Sequence, residues 1–411
     1  MRILIVTAGS RGDVAPYTGL GLRLLAAGHE VAVAAHPPFA GLLDGCGLDH
    51  RPLPGDPREL IRTRARAASW EEARAAMAAF LDRFADGVVA AADGADLVLT
   101  AFGPAALSQA AAEAYGIPVI GTYLVPACAT REFPLAGATG GDDLGPDGNL
   151  AAGRRLLADA GALQAGAVAG LRARLGLPPA TSRPTGADIR PVFHGFSPLV
   201  VPRPADWPPQ VEVAGYWWPA RPQDWRPPAE LVDFLEAGPP PVFIGFGSMA
   251  PGEGERLGEL VTTAVARAGV RAVVQAGWAG LTTAGDDALM VGDDVLTVGD
   301  LPHDWLFPRT AAVVHHAGAG TTAAGLRAGV PAVPVPAMAD QPFWAARLHR
   351  LGVAPRPLPL GALTAGSLAA AIATCLTEPA LGRRAAELAH AIGAEDGAGA
   401  VLALISSVHG A

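Results

Sequence analysis

The stretch from Val298 to Trp344 constrains the fold of this chain most strongly, because it reads in order as strand, glycine loop, helix, strand and acidic loop. Ala311–His315 is a short apolar run typical of a buried strand, and Ala332–Pro336 is a second one. The helix predicted between them ends at Gly329. Parallel strands joined by such a right-handed crossover end at the same edge of a sheet. The pattern therefore predicts an open α/β sheet with a ligand crevice at that edge.

The loop between this strand and its helix has the chemistry of an anion site. Gly318 and Gly320 carry no side chains, so backbone amides can approach a negatively charged group closely. A helix that begins near Thr321 points its unpaired N–H groups and the positive end of its dipole at the same place. Thr321, Thr322 and His316 add hydroxyl and ring donors. The glycines alone would fit an ordinary helix-entry turn, but the whole string favours a diphosphate.

Two polar residues follow the second strand of the same unit. Asp340 and Gln341 offer oxygen acceptors and an amide donor, which suit hydroxyl groups. A diphosphate joined to a hydroxyl-rich group is a nucleotide sugar. The string therefore predicts a nucleotide-sugar site.

Two further segments complete a recognisable order along the chain, namely Gly9–Asp13 after the first strand and Phe246–Ser248 after a strand at Pro241–Gly245. Together with the long string, which includes Pro302–Trp305, they resemble inverting glycosyltransferases of the GT-B architecture. The similarity is greatest to bacterial antibiotic glycosyltransferases and to sterol glucosyltransferases. It implies an α/β fold in which two Rossmann-like parallel-sheet domains face a cleft.

The same resemblance implies a reaction and its participants. A sugar would move from a dTDP- or UDP-sugar to a hydroxyl of a lipophilic natural product or sterol-like acceptor, with inversion and with no metal or other cofactor. The backbone around Leu301 would read the pyrimidine base, and Asp13 would occupy the position of the general base. The donor-binding residues implied are Ser10, Arg11, Gly12, Ser248, Leu301, Pro302, His316, Gly318, Gly320, Thr321, Thr322, Asp340 and Gln341.

Two positions depart from the family pattern. Relatives specific for uridine nucleotides often carry Glu where this chain has Ala324, and that carboxylate would hold the ribose hydroxyls. Its absence suits a deoxyribose and therefore a dTDP-sugar. Asp300 replaces the aromatic residue that usually stacks on the base, so base recognition is expected to depend on main-chain contacts.

Some roles in the N-terminal half stay open at the level of sequence. Asp13 follows the first strand and fits either a general base or a helix N-cap. Arg11 fits either a phosphate contact or a solvated side chain. Several aromatic residues fit either an apolar acceptor pocket or simple core packing. The acceptor-binding residues predicted are Trp70, Phe80, Phe102, Tyr123 and Phe133.

Length and composition exclude other classes of function. The chain has 411 residues, enough for two ordinary domains, and a net charge of −9 without a basic tract, which argues against nucleic acid as a partner. It contains no run of 18 apolar residues, which argues against an integral membrane segment, and the N-terminus starts a strand at once. Cys46, Cys128 and Cys375 are far apart in sequence, which favours buried thiols in a reducing cytoplasm.

The expected domains are residues 1–205 for the acceptor, a Pro- and Trp-rich linker at 206–228, and residues 229–392 for the nucleotide sugar. A last helix within 393–411 is expected to pack back on the first domain. Two alternative functions remain, a nucleotide-sugar epimerase of the same fold and a non-catalytic auxiliary homologue. The sequence leaves the oligomeric state open.

Overall fold

The computed structural model describes residues 1–56, 70–180, 189, 191–247, 254–277 and 294–409. The strands within these ranges are β1 (Arg2–Val6), β2 (Glu30–Ala35), β3 (Asp49–Pro52), β4 (Leu97–Thr100), β5 (Val119–Tyr123), β6 (Val192–His194), β7 (Val211–Val213), β8 (Val242–Gly245), β9 (Ala272–Gln275), β10 (Val295–Val298), β11 (Ala312–His315) and β12 (Ala332–Pro334).

Helices alternate with these strands along most of the chain. They are α1 (Arg11–Ala26), α2 (Ala40–Gly45), α3 (Trp70–Ala92), α4 (Ala105–Tyr115), α5 (Gly145–Arg174), α6 (Ala229–Glu236), α7 (Gly254–Ala268), α8 (His303–Leu306), α9 (Ala319–Ala328), α10 (Gln341–Arg350), α11 (Ala365–Thr377), α12 (Pro379–Gly393) and α13 (Gly397–His409). Such alternation produces parallel sheets covered by helices on both faces.

The first of two compact units comprises residues 1–198, 202–224 and 396–411. Its seven-stranded parallel sheet has the order β3-β2-β1-β4-β5-β6-β7. Apolar side chains from both faces of the sheet build its core, for example Ile5 on one face and Leu4 on the other. The chain reverses direction across the sheet between β1 and β4, which is where open α/β sheets place ligands.

The second unit comprises residues 199–201 and 225–395. Its five-stranded parallel sheet has the order β10-β9-β8-β11-β12, with a similar reversal between β8 and β11. Ile244, Val314 and Val333 from three of these strands are fully buried in its core. The predicted α/β fold with two parallel-sheet domains is confirmed.

The segment predicted to be a linker, residues 206–228, folds differently. Its larger part belongs to the first unit, where Val211–Val213 forms the edge strand β7 beside β6. Its tryptophans pack inward, since Trp207 and Trp217 are 3% and 2% exposed and their indole N–H groups donate to the carbonyls of Cys128 and Gly397. The boundary between the two units lies near residue 225, within the segment expected to be the linker.

The C-terminal helix α13 belongs to the first unit, because Val401 and Ile405 are buried in the same core as Ile3. By length and composition the stretch Pro379–Ser407 is apolar enough to cross a membrane. In the structure this stretch is divided between α12 and α13, and each helix buries its own apolar face. All three cysteines are buried and not disulfide-bonded, as predicted.

Candidate active site

The glycine loop follows the carboxyl end of β11, as the sequence predicts. His315 is the last residue of the strand, Gly318 is the N-cap of α9, and the Thr322 amide donates to the Gly318 carbonyl at 2.9 Å. The strand β12 lies parallel to β11, so Asp340 and Gln341 follow the same edge of this sheet. The helix end, the imidazole of His316 and these two polar residues therefore come from one edge of the second unit.

Two glycines give the His316 ring its space. A Cβ on Gly318 would lie 2.5 Å from His316 Nε2, and one on Gly247 would lie 2.8 Å from its Cε1. Gly247 also has φ +60°, in the left-handed region that favours glycine. Glycine at both positions therefore leaves room for the imidazole and leaves the backbone uncovered by a side chain.

Polar atoms at this loop are buried without hydrogen-bond partners among the described residues. They are His315 Nε2, His316 Nδ1 and Thr322 Oγ1. Burial of an unpaired polar group is costly, and such groups in native proteins commonly await a ligand or water. The donor set fits a diphosphate, which would accept hydrogen bonds from a ring N–H, a hydroxyl and the first amides of α9.

The electrostatics of the loop favour a neutral imidazole. His316 keeps part of its surface accessible, yet the protein crowded around its ring lowers its pKa to about 4 by desolvation. Desolvation also lowers the pKa of the fully buried His315 to about 3. At neutral pH His316 therefore carries one ring proton that it can donate to a phosphate oxygen, without a full positive charge.

The backbone is strained at both ends of this edge. Ala317 and Ala339, at φ 60° and 56°, are the non-glycine residues with positive φ in the parts of the chain that the structure describes. A left-handed conformation costs an L-residue about 1–2 kcal/mol. Such strain persists where surrounding contacts determine it and is common at functional sites. The strained backbone at Ala317 is held by a hydrogen bond, because its amide donates to Nδ1 of the buried His315 ring at 3.1 Å.

The acidic loop is held by its own side chains. Gln341 is 3% exposed, and its Oε1 accepts hydrogen bonds from the amides of Ala337 and Met338 at 2.8 and 3.1 Å. Asp340 Oδ2 accepts a hydrogen bond from the indole of Trp344 at 2.8 Å. The Gln341 oxygen is thus used inside the loop, which leaves its amide as the group expected to meet a sugar. Sequence reasoning missed Trp344, although it lies one helical turn after Asp340.

The segment expected to read the base follows β10. Leu301 is 8% exposed, and Pro302 is the N-cap of the short helix α8. Asp300 stands at the position of the usual stacking aromatic residue. Its Oδ1 accepts a hydrogen bond from Nε2 of the Gln275 side chain at 3.3 Å. Ser248 and the residues after it, up to 253, lie outside the described residues.

Asp13 lies in the first turn of α1, in the first unit. The helix begins at Arg11, and its N-cap is Ser10. Asp13 is therefore not the N-cap that sequence reasoning weighed. Its Oδ2 accepts hydrogen bonds from the amide and hydroxyl of Ser10 at 2.6 and 2.9 Å. This half of a capping box orients the carboxylate.

The environment of Asp13 makes it a stronger base than an ordinary aspartate. Asp13 is exposed as a residue, but the protein packed around its carboxyl raises its pKa by desolvation. The two hydrogen bonds from Ser10 lower the pKa, and desolvation is the larger effect. Ser10 directs its amide and hydroxyl to this carboxylate, and Arg11 and Gly12 are exposed at the helix start. The three residues predicted to help bind the donor thus form the turn that presents Asp13.

The predicted acceptor aromatics separate into two groups. Tyr123 and Phe133 are 0% and 2% exposed, so they are core residues and correct the prediction that they line a pocket. Phe102 and Phe80 are partly exposed, and Phe102 packs edge-on against Tyr123. Trp70 begins α3, and its side chain lies outside the described set.

Sequence reasoning did not identify His36 as a site residue. It follows β2 at the carboxyl edge of the sheet, is 1% exposed, and packs against Phe80 and Phe84. Its Nδ1 is buried without a hydrogen-bond partner in the described structure, and burial lowers its pKa. Its position directly after a strand was the signal that could have identified it.

A cavity of about 430 Å³ also opens in the first unit, lined by Leu97, Val119 and Leu404 among others. Leu97 and Val119 are the first residues of β4 and β5, so this cavity lies at the amino edge of the sheet. It contains none of the predicted site residues. Among the described residues, no group of three or more His, Cys, Asp or Glu side chains is placed to hold a metal ion.

Comparisons with known proteins identify the family of this chain. Residues 3–134 match the family described as the glycosyltransferase family 28 N-terminal domain. Residues 279–402 match the C-terminal domain of the family described as erythromycin biosynthesis protein CIII-like.

Curated relatives extend the match to nearly the whole chain. The O-mycaminosyltylonolide 6-deoxyallosyltransferase of Streptomyces fradiae is 40% identical over 97% of this chain and 95% of its own length. A sterol 3-beta-glucosyltransferase of Arabidopsis thaliana is 32% identical over 98% of this chain and 67% of its own length.

Solved structures share the fold at lower identity. The glycosyltransferase of kitacinnamycin has a TM-score of 0.71 at 20% identity, with 99% of this chain and 98% of that one covered. The glycosyltransferase VinC, solved in complex with dTDP, has a TM-score of 0.68 at 22% identity, with both chains fully covered. The chain belongs to the GT-B glycosyltransferases of the antibiotic and sterol type.

Proposed function

We propose that this glycosyltransferase transfers a sugar from a nucleotide diphosphate donor to a hydroxyl of a lipophilic acceptor, with inversion at the anomeric carbon. The observation that carries the proposal is that His316 Nδ1 and Thr322 Oγ1, near the start of α9, are buried without hydrogen-bond partners among the described residues. They lie in a loop whose free amides and dipole favour a diphosphate.

The nucleotide is proposed to be dTDP ahead of UDP. Ala324 cannot hold ribose hydroxyls as a glutamate would, so a deoxyribose loses nothing at this position. Two structures of the same fold, VinC and SsfS6, were solved with dTDP bound, which supports the choice without deciding it.

The acceptor is proposed to be a lipophilic natural product. Phe80 and Phe102, two partly exposed aromatic side chains of the first unit, are proposed to contact it. A relative named for action on O-mycaminosyltylonolide supports this class of acceptor.

The proposed reaction breaks one bond as it forms another. The acceptor oxygen bonds to the anomeric carbon while the bond from that carbon to the diphosphate oxygen breaks, and the acceptor proton passes to Asp13. Fixed amides at α9 and the His316 N–H stabilise the negative charge that grows on the departing diphosphate. Because desolvation raises the pKa of Asp13, its carboxylate accepts the proton more readily than an exposed aspartate would. We propose that no metal ion takes part and that the enzyme acts in the cytoplasm.

The test is a donor-by-acceptor screen by mass spectrometry, with dTDP- and UDP-sugars against polyketide and sterol acceptors. The proposal expects a glycosylated acceptor together with free nucleotide diphosphate. Conversion of the nucleotide sugar in the absence of any acceptor would instead identify an epimerase. Neither a product nor a rise in melting temperature with dTDP or UDP would overturn the proposal in favour of an auxiliary protein.

A further inference from the structure

The loop that ends in Asp340 and Gln341 adopts a conformation that its sequence does not favour. Ala339 has φ 56°, although alanine gains nothing from the left-handed region. The loop is closed by the Gln341 oxygen, which accepts the amides of Ala337 and Met338. This closure fixes the backbone of the loop that carries the Asp340 side chain.

Trp344 holds the Asp340 carboxylate directly. It is 1% exposed and lies in the first turn of α10, where its amide donates to the Asp340 carbonyl at 3.2 Å. Its indole N–H, the single polar group of the side chain, donates to Asp340 Oδ2 at 2.8 Å. The ring also packs edge-on against Phe343, which holds the indole in place. A hydrogen bond from a fixed donor to a carboxylate restricts the rotation of that carboxylate.

We propose that Trp344 is a positioning residue that sets the orientation of the Asp340 carboxylate toward the hydroxyl groups of the donor sugar. The indole is buried and acts through Asp340. The enzyme thereby selects sugars that present a hydroxyl donor to this carboxylate. This inference rests on the proposed function, since it assigns the sugar to the loop at residues 337–341.

Trp344→Phe tests the proposal, because it keeps an aromatic ring and removes the N–H. We expect the KM for the dTDP-sugar to rise about tenfold, which is the usual loss for a hydrogen bond to a charged group. The Kd of dTDP, which has no sugar, stays within about twofold in calorimetry. Trp217→Phe is the matched control, because it also removes one buried indole hydrogen bond, to the Gly397 carbonyl, and should leave the KM unchanged.

A double-mutant cycle separates positioning from general loss of packing. In an Asp340→Ala background, Trp344→Phe should cause no further change in the KM for the donor. An equal rise in the Kd of dTDP, an unchanged KM, or a full tenfold effect that persists without Asp340 would each overturn the proposal.

A second measurement holds even if Trp344→Phe does not fold. In the wild-type enzyme, the ¹⁵N-labelled indole resonance that Asp340→Ala displaces should shift on addition of a dTDP-sugar and remain in place with dTDP. No shift with the sugar nucleotide contradicts the inference. Failure of the wild-type enzyme to bind dTDP at all would instead refute the proposed function, so the two failures are distinguishable.

Discussion

The two units hold their predicted site residues in opposite ways. The glycine loop of the second unit keeps buried polar atoms, on His316 and Thr322, that have no hydrogen-bond partner in the described parts of the chain, and its backbone is strained at Ala317. In the first unit the predicted acceptor residues Tyr123 and Phe133 are packed in the core, and His194 beside Tyr123 has both ring nitrogens hydrogen-bonded, to the Glu212 carbonyl and the Ala127 amide. The arrangement of the second unit suits a ligand, whereas Tyr123 and Phe133 of the first unit are packed for stability.

Asp13 and His36 are exceptions in the first unit, and the largest expected effect tests Asp13. Asp13→Asn keeps an oxygen for the Ser10 amide but cannot take a proton, so the transfer rate should fall by about 10²–10⁴. The Kd of dTDP should not change. In the wild type, the acid limb of kcat/KM should lie above the pKa of an ordinary aspartate, because desolvation raises the pKa of Asp13 and only its ionised form is a base. Turnover equal to wild type in Asp13→Asn would remove the residue from the mechanism.

The buried side chain of Tyr123 and the accessible ring of Phe102 should respond differently to truncation. Tyr123→Ala empties a fully buried site and should lower the free energy of unfolding by about 3–5 kcal/mol. Phe102→Ala removes a partly exposed ring and should instead raise the KM for the acceptor with little loss of stability. Urea unfolding and acceptor kinetics of both variants measure the contrast. A stable Tyr123→Ala enzyme with a raised acceptor KM would restore Tyr123 to the pocket.

A methyl group on Gly318 should damage the donor loop without unfolding it. The new Cβ would lie 2.5 Å from His316 Nε2, so the imidazole must move away, while φ −66° suits alanine. We expect the Kd of dTDP to rise about 10- to 100-fold, as for the loss of a hydrogen bond to a charged group. Gly393→Ala is the control, because nothing lies within 4 Å of its added Cβ. Equal affinity in both variants would show that His316 does not contact the nucleotide.

The smallest expected effect is a pH dependence of stability in the second unit. His315 and His316 have pKa values lowered to about 3 and about 4, while in the unfolded chain they titrate near 6.5. Between pH 6.5 and 4 the unfolded state therefore binds more protons, and stability falls as the pH is lowered. The melting temperature should drop by a few degrees from pH 7 to 5, and by less in His315→Asn. A pH-independent melting temperature would contradict the buried neutral imidazoles.

The difference between the units also explains what the sequence could predict. The proposed diphosphate loop is contiguous, and its chemistry depends on backbone and helix ends, so the string alone predicts that Gly318 and Thr322 lie together at a helix start. The acceptor side depends on how distant side chains pack, and Tyr123 and Phe133 were assigned to a pocket although tertiary contacts bury them.

Other misses have the same physical origin. The strand β7 forms within the expected linker because the edge of β6 offers hydrogen bonds that no local pattern of the segment reveals. The role of Trp344 depends on a rotamer, and its spacing from Asp340 alone does not show that the indole points at the carboxylate.

The most direct test of the account is a crystal structure of this enzyme with dTDP. We predict that the diphosphate lies at the start of α9, within hydrogen-bond distance of His316 and of the backbone amides at Gly320 and Thr321. A diphosphate bound elsewhere, with His316 and Thr322 still without partners, would contradict the central claim that this loop binds the leaving group.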